Sequence, residues 1–197
     1  MINQSEVENT IRKELGSYFS TQAATQNDIY RYINSAIEYI YNYRDWEFNK
    51  KVFSFIYEAV NTESELPIYC LKVFSVKKGA TPVWVMDNEE WFVNDDHDGY
   101  VGIFGNMFIS WETGTYHILH TPAPSSIDNT TTEINMPINF KRTIEELALA
   151  YGYSDLKLYD KVAAKMWSAN GSLDRLAQRS SNPRPNNPVR LWANHRI

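Results

Sequence analysis

The chain has one cysteine, Cys70, in 197 residues. That excludes an internal disulfide framework and any zinc cluster built on several thiolates. No apolar run approaches the roughly 18 residues that a membrane-spanning helix needs. The opening residues, Met1 to Val7, lack the basic start and apolar stretch of a secretory signal. These absences predict a soluble protein made in a reducing cytoplasm. Catalytic signatures are missing too: there is no G-x-S-x-G elbow, no phosphate-cradling glycine loop, no H-E-x-x-H and no dinucleotide fingerprint. The sequence therefore predicts neither an enzyme nor a cofactor.

Positive charge is absent from the long central stretch between Gly79 and Phe140, which holds nine acids: Asp87, Glu89, Glu90, Asp95, Asp96, Asp98, Glu112, Asp128 and Glu133. From Arg179 onward the balance reverses, with Arg179, Arg184, Arg190 and Arg196 and no acid. The whole chain carries −5. A solvated surface explains the acidic stretch as well as a surface that repels DNA or meets a basic partner. The basic end is different, because Val189, Leu191, Trp192 and Ile197 are costly to leave in water. Such an arm suits a segment that orders on a partner.

What the chain has in excess is aromatic residues, with thirteen Tyr, nine Phe and six Trp. They suit half-buried strands, and Tyr and Trp also anchor interfaces. Helical periodicity places Val7, Ile11 and Leu15 on a helix over residues 5–15, started by a Ser5–Glu8 capping box and stopped at Gly16. A longer helix over 26–44 begins at Thr25 and Asp28, with Ile29, Ile33, Ala36, Ile37 and Ile40 as its stripe. Its surplus tyrosines are expected on an outer face. From about 48 to 121 the period becomes strand-like, and short turns between the runs favour antiparallel meanders. Glu90–Val93 is among the expected strands. Helices return over 139–151 and 154–178, with a break at Gly152. The fold predicted is α+β: a helical bundle with an inserted antiparallel β-sheet lobe, one domain over 1–179, and an extended arm over 180–197.

Two constellations could carry chemistry. Asn94, Asp96, Asp98 and Gly99 match the start of a calcium loop, but the position that needs the bidentate glutamate is Gly105, so a polar hairpin turn is favoured. His117 and His120 differ by three and point to opposite faces of a strand, which argues against a shared ion. Cys70, in an apolar run, is expected to be buried and inert.

The order of these landmarks resembles the head-to-tail adaptor proteins of tailed phages, including their tail accessory factors. The residues that carry the likeness are 39–48 (Tyr-Ile-Tyr-Asn-Tyr-Arg-Asp-Trp-Glu-Phe), 66–76, 116–124, 144–151 and 163–167. The resemblance implies a structural virion protein at the head–tail junction, forming a ring, twelve-fold on a dodecameric portal, through which DNA passes without specific binding. Its partners would be the portal, a downstream tail or ring protein, and further copies of itself, with no membrane. It implies that the arm docks on the portal through Arg184, Arg190, Leu191, Trp192 and Arg196. Asp95, Asp96 and Asp98 would form an acidic surface toward the channel or a partner. Trp46 is expected to be structural. The competing readings are a virion-associated cell-wall hydrolase and a sheet-based module binding sugar or protein through Trp84, Trp91 and Trp111.

Overall fold

A computed structural model describes residues 1–18, 25–66, 70–86, 91, 98–104 and 106–181. In chain order the elements are β1 (Ile2–Asn3), α1 (Gln4–Leu15), α2 (Gln26–Tyr43), β2 (Lys51–Tyr57), β3 (Ser64–Glu65), β4 (Cys70–Lys78), β5 (Thr81–Met86), β6 (Tyr100–Phe104), β7 (Met107–Ser110), β8 (Gly114–Pro122), β9 (Glu133–Ile134), α3 (Lys141–Asp155) and α4 (Tyr159–Ser181). They form two compact units: residues 1–44 with 126–197, and residues 45–125.

The first unit is helical. Val7, Ile11 and Leu15 of α1, and Ile29, Ile33, Ala36, Ile37 and Ile40 of α2, are buried as their spacing requires. From the later helices come Ile144, Leu147 and Ala148, with Ala169 and Leu173. Each fully buried aliphatic side chain contributes about 1.5–3 kcal/mol. The cap of α1 is Asn3, whose side chain accepts from the Ser5 amide, so the helix starts before the expected Ser5–Glu8 box. The Thr25–Asp28 capping box at α2 is present. Gly152 does not break α3, which runs through it to Asp155. It serves close approach instead: a β-carbon there would clash with Leu15 Cδ1. The break falls at Lys157, whose φ of 58° ends the helix before Tyr159 begins the next.

The second unit corrects the predicted fold class. Rather than a helical bundle carrying an inserted antiparallel lobe, the protein is α+β with four helices among the described residues and a large, nearly closed, barrel-like mixed sheet. Its seven strands run in the order β2-β8-β4-β5-β6-β7-β3. The β5–β6 pair is parallel, with Trp84 against Tyr100 and Met86 against Gly102. The physical reason is the length of residues 87–99, a connection long enough for a crossover where a two-residue turn would force a hairpin. Within it Trp91 is helical rather than extended, and is buried with Met86 and Ile109.

The sheet encloses an aromatic core. The rings of Phe55 and Tyr57 meet Phe108 edge-on at centroid distances of 4.8 and 5.2 Å, and Phe108 lies 4.9 Å from Tyr116. Both buried tyrosine hydroxyls are satisfied. Tyr57 donates to the Thr62 carbonyl at 2.7 Å, and Tyr116 donates to the Glu112 carbonyl at 2.8 Å while bonding Ser110 Oγ. Burial without those partners would cost about 1–3 kcal/mol per group.

Candidate functional site

Among the described residues, two of the places that leave large apolar side chains in water are regular faces, one on each unit. On the sheet, strand alternation turns Phe53, Phe55 and Tyr57 inward, so Val52, Ser54 and Ile56 point out. Val52 is 64% and Ile56 69% exposed. Across the ladder Val52 faces Leu119 and Leu119 faces Ser75; Ser54 faces His117 and His117 faces Lys77. Pro82, opposite Lys77, continues the row onto β5, where Trp84 is 73% exposed. A solvated sheet face ordinarily carries polar residues at these positions.

The row holds one pair with chemical potential. Ser54 Oγ and His117 Nδ1 share a 2.6 Å hydrogen bond, the hydroxyl–imidazole half of a nucleophile and its base. A triad needs a carboxylate to orient the ring, and the residue across from His117 is a lysine. The pair therefore serves better as a polar contact on the face than as a catalyst. His120 is turned inward, its ring edge-on to Phe53 at 5.3 Å, and burial holds its pKa below the ordinary 6.5.

On the helical unit the outer side of α4 carries Tyr159, Ala163, Trp167 and Gly171 at four-residue intervals, all exposed. Trp167 is 82% exposed, the most open large apolar side chain among the described residues. Nothing lies within 4 Å of a β-carbon placed on Gly171.

Other predicted residues fall elsewhere. Arg184, Arg190, Leu191, Trp192 and Arg196 lie outside the described residues, as do Asp95, Asp96 and Asn94. Asp98 is exposed, and the hydrogen bond and charge of Lys78 hold the Glu112 carboxyl below the usual range. The base-free stretch thus meets a lysine from β4 in space. Among the described residues no three His, Cys, Asp or Glu side chains are grouped to hold a metal ion. Cys70 is buried, which pushes its thiol up. Of the three sheet tryptophans, Trp91 is inside, whereas Trp84 and Trp111 are exposed.

The α2 tyrosines do not form a free face. Tyr32 donates to Asp155 at 2.7 Å, Tyr39 to Asn170 at 2.9 Å and Tyr43 to Asp174 at 2.7 Å, so three of them clamp α2 to the later helices. Burial and the Asp155 carboxylate raise Tyr32 well above its normal range, and the hydrogen bond to Asp174 pushes Tyr43 up to about 12. Sequence reasoning missed the outward row of β2 and β8 and the α4 stripe. The signals were present as the alternation Val52-x-Ser54-x-Ile56 and the four-residue spacing of Tyr159, Ala163, Trp167 and Gly171.

No protein-family model matches this chain, and a search of characterised proteins found no match.

Proposed function

We propose that the protein is a structural subunit of a tailed-phage virion, an adaptor that forms a ring on the portal at the head–tail junction. The observation that carries the reading is the exposure of large apolar anchors on regular elements of both units: Val52, Ile56 and Trp84 on strands, Tyr159 and Trp167 on α4. Rigid aromatic anchors such as Trp84, Tyr159 and Trp167 dominate binding energy when covered, and a ring subunit must offer different faces to its two neighbours. The layout around Trp46 and the basic, apolar-anchored end of the chain support the same reading. In it, Arg184, Arg190, Leu191, Trp192 and Arg196 dock on carboxylates and apolar pockets of the portal. Asp95, Asp96 and Asp98 face the DNA channel or a basic partner, and passing DNA is not held.

Electron microscopy of the purified protein mixed with the portal of its virion tests this. Closed rings seated on the portal are expected, and particles with no ring would overturn the proposal. Since α4 reaches Ser181, the arm is removed as residues 182–197. That deletion should leave melting almost unchanged and abolish attachment, with Trp192→Ala alone losing about 2–4 kcal/mol of binding.

The second reading, a sheet-based module for sugar or protein, is favoured by exposed Trp84. Saccharide-dependent tryptophan quenching that disappears in Trp84→Ala would select it.

A further inference from the structure

We propose that the outer face of α4 is a self-complementary docking surface, and that its occupant is α4 of a second copy of this chain, lying antiparallel across a two-fold axis near residue 165. The stripe alternates large and small: Tyr159, Ala163, Trp167, Gly171. In an antiparallel pair centred there, Trp167 of one copy meets Ala163 of the other, and Tyr159 meets Gly171. Every ring is then opposed by a side chain small enough to receive it, and by symmetry each contact occurs twice. Residues spaced by four form one of the ridges along which helices interlock, and two such ridges cross at about −50°.

The local structure leaves this face available. Ala169 and Leu173, on the opposite side of α4, are buried in the unit, while all four stripe residues are exposed. The open space at Gly171 leaves room for an incoming ring. The opposed helix dipoles favour the antiparallel sense. Lys165 lies on the side of α4 away from the stripe, where Glu14 of its own chain holds it at 2.8 Å, so its charge stays out of the paired faces.

This pairing belongs to the free protein and goes beyond the adaptor reading; because it covers Tyr159 and Trp167, which that reading gives to ring neighbours, the pair must open as a ring forms. It is a modest contact, so association is weak and concentration-dependent.

Sedimentation equilibrium of the full chain over a wide concentration range is the test. The mass should rise from 22.9 kDa toward twice that value. Trp167→Ala leaves two small residues opposed and Ala163→Trp sets two rings against each other; each alone should hold the protein at one chain. The exchange Ala163→Trp with Trp167→Ala restores large against small and should restore the dimer. Both positions are exposed, so matching melting curves exclude misfolding as the cause. A wild-type protein that stays monomeric, a Trp167→Ala protein that still pairs, or an exchange variant that fails to recover would each overturn the inference. Loss of rings on the portal with dimerisation intact would instead strike the adaptor reading alone.

Discussion

The helical unit and the sheet unit bury different kinds of side chain. The helical unit fills its interior mainly with Ile, Leu, Val and Ala at three- and four-residue spacing, with Phe140 and Tyr153 buried among them, and turns the hydroxyls of Tyr32, Tyr39 and Tyr43 to Asp155, Asn170 and Asp174. The sheet unit packs rings against rings, and it carries the hydroxyls of Tyr57 and Tyr116 into the core with their partners. Aliphatic stripes tolerate a wet rim, whereas an aromatic core that includes phenols depends on completed hydrogen bonds. The same chemical change should therefore have different consequences in the two places.

Tryptophan deletion gives the widest separation. Trp46, 3% exposed in the sheet unit, should cost about 3–5 kcal/mol as Trp46→Ala. Trp167→Ala on the open face of α4 should stay within about 0.5 kcal/mol. Denaturant melts of both variants check this, and equal losses would break the contrast. Next comes Gly152→Ala, which sets helix propensity, worth about 1 kcal/mol in favour of alanine, against the contact with Leu15. The clash should win, for a net loss of about 1–2 kcal/mol by thermal melting. A stabilised variant would show that α1 can move away.

Removal of one phenol oxygen separates the units more finely. Tyr116→Phe removes the bond to the Glu112 carbonyl and leaves Ser110 Oγ with the Glu112 amide alone, and should cost about 1–3 kcal/mol. Tyr43→Phe, at a bond to exposed Asp174, should cost less than about 1 kcal/mol. The smallest effect is set by pH. Burial depresses His120 in the folded state, with Lys51 opposite adding repulsion. The unfolded chain thus binds the proton more readily, and the stability from neutral His120 is present above pH 6.5 and fades as pH falls below it. His120→Gln should flatten that part of the stability–pH curve, and an unchanged slope would remove His120 from the account.

The elements of the helical unit were largely legible because their apolar spacing is local. The sheet was legible as strands but not as a topology. Nothing in Thr81–Met86 or Tyr100–Phe104 distinguishes a parallel pair from a hairpin; only the length of the connection does. Charge misled for a related reason. A stretch with no base in sequence meets Lys78 in space, because β4 brings that lysine to Glu112. The tyrosines of α2 could not be assigned to a contact without knowing which polar groups α3 and α4 would present. The sites on the arm rest on sequence alone, and Val52, Ile56 and Trp167 emerged only once the inward faces of their elements were known.

Because the helical unit is built from both ends of the chain, with the sheet unit between them, the protein has an order of synthesis. α1 and α2 leave the ribosome first with their apolar stripes uncovered, since α3 lies about a hundred residues later. At roughly 5–20 residues per second that interval lasts about 5–20 seconds. The sheet unit is complete before the helical unit has its third helix, although its own closure joins Lys51 to His120 across a long loop. For those seconds Ile29, Ile33 and Ile40 need shelter from other nascent chains. A slow-translating or chaperone-depleted host should then yield aggregates whose exposed segment is α2.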